Sequence, residues 1–103
     1  IITHSGDALN IVPDLDIIFD LVFIDAEKRS YPEYFEAVLQ KTKSGSIILS
    51  DNVLWSGKVV EPLNPKDAAT KVLLDYNKML KEDPRVETVL LPIRDGITMC
   101  RVL

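Results

Sequence analysis

The chain has 103 residues, 47% of them hydrophobic and 27% charged, with a net charge of −4 at pH 7 and a single cysteine. That balance suits one small globular domain. It excludes a membrane-crossing helix, which needs roughly 18 consecutive apolar residues, an internal disulfide or cysteine-built metal site, and the basic footprint of a duplex nucleic-acid binder.

Ile1 to His4 reads as the tail of a strand. The segment lacks the basic and apolar regions of a signal peptide, and one cysteine suits a reducing, cytoplasmic setting. A chain opening on Ile1-Ile2 without a lead-in is expected to be a piece of a longer protein. Asp7 to Leu15 can form a short helix. Phe19 to Ile24 is a continuous apolar run of strand length, as in a parallel strand buried on both faces.

Ser30-Tyr31-Pro32-Glu33 has the form of a capping box with proline in the first turn. Tyr31, Tyr34, Phe35, Val38 and Leu39 then recur at helical spacing. Gly45 is placed to end this segment, and Ile47 to Leu49 makes the next buried strand. Val53 to Pro65 is a long loop. Asn64-Pro65 can start a helix whose apolar face is Ala69, Val72, Leu73, Tyr76 and Leu80, ending at Pro84. Val86 to Ile93 and Ile97 to Leu103 are strands joined by a tight turn over Arg94-Asp95-Gly96. Strand–helix alternation of this kind predicts an α/β domain with a mostly parallel sheet, closed by an antiparallel hairpin.

Two apolar strands end in acids: Asp25 closes one, and Asp51, followed by Asn52, closes the next. In open parallel sheets, ligands bind beyond the carboxyl ends of the strands. A right-handed crossover makes the two ends neighbours, about 4.8 Å apart or one strand further. Either acid alone reads as a strand-end cap for the following segment. Together they repel unless a proton or a cation lies between them. With the Asn52 amide they form an all-oxygen set suited to Mg²⁺. A lysine in a loop is ordinarily a solvated charge. At the mouth of such a crevice, Lys28 becomes a candidate base. Tyr31, Tyr34 and Phe35 read as helix core, Cys100 as packing and His4 as a strand-end histidine, whereas Trp55 stands in a loop off any periodic face.

Three segments carry a family resemblance: D-A-E-K at Asp25–Lys28, D-N-V-L-W-S-G at Asp51–Gly57, and L-L-P-I-R-D-G at Leu90–Gly96. With G-D-A-L at Gly6–Leu9, the chain resembles the cation-dependent O-methyltransferases, the group of the caffeoyl-CoA and catechol O-methyltransferases, along essentially its whole length. The resemblance implies a Rossmann-like class I methyltransferase fold and S-adenosylmethionine as methyl donor. It places the metal ligands at Asp25, Asp51 and Asn52, for Mg²⁺ or another divalent cation such as Mn²⁺ or Ca²⁺. It assigns Lys28 as the base and Trp55 to the loop over the acceptor. Gly6, Asp7 and Ala8 fall where the family meets the cofactor's adenine, and Asp25 also lies near its methionine portion. The acceptor implied is a small aromatic hydroxyl compound, with hydroxylated uridine in tRNA as an alternative, and the full-length relatives suggest a homodimer.

The chain departs from the pattern at Glu27, where most relatives have aspartate, and at Arg94, where they have glycine. The family's glycine-rich cofactor loop and ribose-binding acid have no counterpart: the four glycines form no G-x-G. The chain is thus expected to be the C-terminal half of such an enzyme, inactive by itself. A receiver-like signalling module also gathers acids and a lysine at strand ends. It needs an acidic pair after its first strand and a Lys-Pro after its last parallel strand, and neither is present.

Overall fold

The computed structural model describes residues 1–103. Its helices and strands are α1 (Ala8–Ile11), β1 (Phe19–Ile24), α2 (Tyr31–Leu39), β2 (Thr42–Asp51), α3 (Ala68–Glu82), β3 (Val86–Leu91) and β4 (Ile97–Val102). The four strands form one sheet in the order β1-β2-β4-β3. β1 and β2 pair parallel, and β4 runs antiparallel to both of its neighbours. Three strands therefore point one way and the returning arm of the hairpin points the other, as the alternation implied. No helix is long and apolar enough to cross a membrane.

α2 and α3 cover one face of the sheet. Ile24, Ile48 and Cys100 point toward them and are buried with Phe35, Leu73 and Leu80. Tyr76 anchors this layer. Its ring meets those of Tyr31 and Phe35 edge-on at 5.5 and 6.2 Å, and its hydroxyl shares a 2.6 Å hydrogen bond with Ser50 on β2. The opposite face carries an in-register row of Phe23, Leu49, Met99 and Val89 across all four strands. Phe23 and Val89, at the two outer strands, are about half exposed, and Leu49 and Met99 between them are partly buried.

Several expected boundaries move. Ile1–His4 forms no strand: its residues are exposed and make no backbone hydrogen bond to the sheet. The Ser30 capping box does not close. A 3₁₀ turn over Lys28–Ser30 leads directly into α2, holding Ser30 at φ −103°, ψ 9° with no side-chain cap. Gly45 ends no segment but lies within β2, at φ +92°, beside an irregular register between β1 and β2. α3 is capped by Asp67 rather than started at Asn64. The Asp67 carboxylate accepts from the Thr70 amide at 3.1 Å and hydroxyl at 2.8 Å. The long loop after β2 contains 3₁₀ turns over Trp55–Val60, kinked at Ser56 and Gly57.

The β3–β4 turn is docked onto this loop. A Cβ at Gly96 would meet Leu54 Cγ at 2.5 Å, so the close approach requires glycine. Arg94 occupies the left-handed region at φ +55° without being glycine. That conformation costs an ordinary residue roughly 1–2 kcal/mol, partly offset by glycine's larger unfolded-state entropy of about 0.5–1 kcal/mol. Arg94→Gly is expected to stabilise the full-length protein by up to ~1 kcal/mol, read as a higher denaturant midpoint.

Candidate active site

Ile24 of β1 pairs with Ser50 of β2. The next residue on each strand is an acid, so Asp25 and Asp51 are neighbours at the carboxyl edge of the parallel pair. The 3₁₀ turn after β1 brings Lys28 back to that edge. Its Nζ donates to Asp25 Oδ1 at 3.1 Å and to the Tyr31 hydroxyl at 2.6 Å. The Tyr31 hydroxyl in turn donates to the Asp51 carbonyl at 2.8 Å. Lys28 is only 8% exposed, which sets it apart from a solvated loop lysine. Burial pulls its pKa down, but the bonds to Tyr31 and then Asp25 outweigh that and hold it above the usual lysine range. In this state the side chain is a charged ammonium.

Asn52 follows Asp51 in the left-handed region at φ +60°. Its side-chain nitrogen donates to Asp95 Oδ2 at 3.2 Å, and the other Asp95 oxygen accepts from the Ser56 amide at 2.5 Å. The Asp95 carbonyl also accepts from the Leu54 amide at 2.9 Å. The hairpin turn thus fixes the loop that carries Asn52 and leaves the Asn52 amide oxygen free of protein donors. The Asp51 carboxylate accepts only from the Asn52 amide, through Oδ1 at 2.8 Å. Asp25 keeps one oxygen unengaged and its side chain is 52% exposed. Two carboxylates and an amide oxygen, each with an open lone pair, suit a hard divalent cation. No group of three or more His, Cys, Asp or Glu gathers anywhere in the chain, so this set of two acids and one amide stands on its oxygen chemistry alone.

Two cavities meet here. One, of about 380 Å³, is apolar except for Asp25 and has Ala8, Val12, Phe23 and Tyr34 among its walls. Of the residues expected near the adenine, Ala8 therefore shares a cavity with Asp25. Gly6 and Asp7 precede it outside the lining, and the Asp7 carboxylate caps α1 by accepting from the Leu9 amide at 2.9 Å. The second cavity, of about 480 Å³, is more polar and brings Lys28 and Trp55 together with Lys66 and Asp67. Ala26 lines both cavities. The Asp25–Lys28 ion pair stands at their junction.

Two contributors escaped the sequence. Tyr31 looked like helix core and is core by its ring, but its hydroxyl reaches the site. Asp95 looked like a turn residue, and its grip on Asn52 spans 43 positions. No local pattern encodes either contact.

An α/β sheet with acids and a buried lysine at its carboxyl edge, beside an apolar cavity, has the layout of a Rossmann-like class I methyltransferase. The chain belongs to the O-methyltransferase family, whose model matches residues 2–103. It is 41% identical over 91 residues to caffeoyl-CoA O-methyltransferase 1 of Eucalyptus globulus, covering 81% of this chain and 36% of that protein. The O-methyltransferase TomG from Streptomyces achromogenes, solved in complex with SAM, superposes with a TM-score of 0.83 at 34% identity, covering 94% of this chain and 47% of that one. An O-methyltransferase from Bacillus cereus, solved with SAH, gives 0.86 at 28% identity, covering 97% and 49%. The chain thus spans between a third and a half of the relatives it matches.

Proposed function

We propose that the chain is the C-terminal half of a methyltransferase domain. The full-length protein would move a methyl group from S-adenosylmethionine to a hydroxyl of a catechol-like or caffeoyl-type small molecule, with a divalent cation held by Asp25, Asp51 and Asn52. The observation that carries this reading is the buried Lys28, held against Asp25 between an apolar and a polar cavity. When bound, the donor would supply an electrophilic sulfonium methyl. The cation would hold the acceptor oxygens, stabilise the developing oxyanion and lower the pKa of the adjacent ammonium.

The chain's own residues have separable tasks. Ala8 and the apolar cavity receive the flat adenine, with Gly6 and Asp7 shaping the approach. Asp25 lies where the methionine portion of the donor meets the acceptor. In its neutral form, Lys28 would take the proton from the acceptor hydroxyl and leave that oxygen as the nucleophile for the donor's methyl group. Trp55 covers the aromatic ring in the second cavity. Holding both reactants in line supplies much of the rate.

The test is a panel assay on the full-length protein with S-adenosylmethionine and catechols, caffeoyl esters or hydroxylated tRNA. Methylation of a phenolic hydroxyl supports the reading. Methylation confined to tRNA would replace its acceptor, and no transfer to any of them would defeat it.

The 103-residue piece alone is expected to bind S-adenosylmethionine no better than millimolar. No glycine-rich turn is present to bring backbone close to the charged amino-acid end of the donor. The partly exposed sheet face and the unpaired outer edge of β1 would favour self-association. Calorimetry checks this. Micromolar binding by a well-behaved monomer would show the cofactor site to be wrongly placed.

A further inference from the structure

We propose that the Tyr31 hydroxyl is a positioning group that fixes the Lys28 ammonium at the junction of β1 and β2. The inference deepens the methyltransferase reading and rests on it for its catalytic consequence.

Tyr31 has no exposed surface. Its oxygen accepts from Lys28 Nζ at 2.6 Å and donates to the Asp51 carbonyl at 2.8 Å, with the Ile24 carbonyl next nearest at 3.3 Å. A phenol has one proton to give and lone pairs to receive, so each contact uses a different capacity of the same atom. The two carbonyls belong to the ends of the two strands that present Asp25 and Asp51. The hydroxyl therefore refers the lysine to the strand ends rather than to the turn that carries it.

An ammonium has three donors. One goes to Tyr31 and one to Asp25 at 3.1 Å. The third has no protein partner, and Lys28 lines the polar cavity beside Trp55. Two fixed contacts on a flexible four-carbon stem thus leave one position for an acceptor in that cavity. The ring of Tyr31 has a separate task, since it packs edge-on against Tyr76 at 5.5 Å. Phenylalanine would serve that packing equally well. Only the seating of the lysine and the ties to the strand ends call for the oxygen.

The experiment uses the full-length protein carrying Tyr31→Phe, alone and combined with Lys28→Met. Phenylalanine keeps the ring contact, and melting curves verify the fold. Tyr31→Phe alone is expected to lower kcat about tenfold or more through misplacement of the lysine, with the KM for S-adenosylmethionine within about twofold. In the Lys28→Met background the same substitution is expected to change kcat less than twofold, because the residue it acts through is gone. An unchanged kcat for Tyr31→Phe alone, or an equal loss in both backgrounds, would overturn the proposal.

A second readout needs neither turnover nor cation: the rate at which an amine-reactive reagent labels Lys28, followed by peptide mass spectrometry. It is expected to rise severalfold in Tyr31→Phe, while labelling of exposed Lys71 stays constant. Equal Lys28 labelling in both proteins overturns the proposal even if the wild type transfers no methyl group. Absence of transfer by the wild type instead counts against the methyltransferase reading.

Discussion

Lys28→Met in the full-length protein lowers turnover about 100-fold or more, the range lost with a general base, while affinity for S-adenosylmethionine stays the same. The expectation follows from where the side chain lies. It is buried at the junction of two cavities and bonded to Asp25 and Tyr31. Methionine matches the length of the stem and preserves its packing, so the loss reads the ammonium and not the fold. In the proposed function the donor's adenosyl portion is assigned to the apolar cavity, whose walls do not include Lys28, and cofactor binding therefore has no reason to change. Steady-state kinetics across the pH range checks the result. Turnover equal to wild type at every pH would remove Lys28 from the mechanism.

Asp51→Ala weakens binding of Mg²⁺ or Mn²⁺ to the full-length protein by about 100-fold or more, at least the upper range seen when only a supporting partner of a ligand is lost. Asp51 is the better of the two acids for this test. Tyr31 bonds to its backbone carbonyl, and its carboxylate accepts only from the adjacent Asn52 amide. Alanine therefore removes only the carboxylate proposed to hold the cation and leaves the tie between the strand ends intact. Asp25→Ala would release Lys28 as well and confound the two effects. Calorimetry with the metal salt alone reads the change without turnover. An unaltered affinity would show that the cation binds elsewhere.

What the sequence disclosed and what it hid divide along sequence separation. Asp25 and Asp51 were legible because each apolar strand ends abruptly in an acid, and the parallel pairing of β1 with β2 follows from the connecting helix. Tyr76, Leu73 and Leu80 were legible as core because helical spacing repeats locally. The burial of Lys28 was not, since a short 3₁₀ turn folds it inward and no periodicity marks such a turn. The failed cap at Ser30 has the same origin. That turn leaves the serine without the extended backbone that a capping hydroxyl needs. Asp95 and the Tyr31 hydroxyl act on partners 43 and 20 positions away, respectively. Those meetings exist only once the hairpin has docked and the strand ends are aligned.

Arg94 adds a different case. The departure from glycine was visible in the chain, but its left-handed backbone was not. Together with Asn52, Trp55 and Ser56 it makes four non-glycine residues at positive φ, all in the two loops at this edge. Strain concentrated beside a candidate site fits loops held in place by their contacts rather than by local preference.

The central claim is cation-dependent methyl transfer by the protein that contains this chain. The most direct test is transfer of a labelled methyl from S-adenosylmethionine to a catechol by the full-length protein, run with Mg²⁺, with excess EDTA, and with Mg²⁺ restored. The account predicts O-methylated product in the first case, its loss in the second and recovery in the third. Transfer that proceeds equally in EDTA would contradict it.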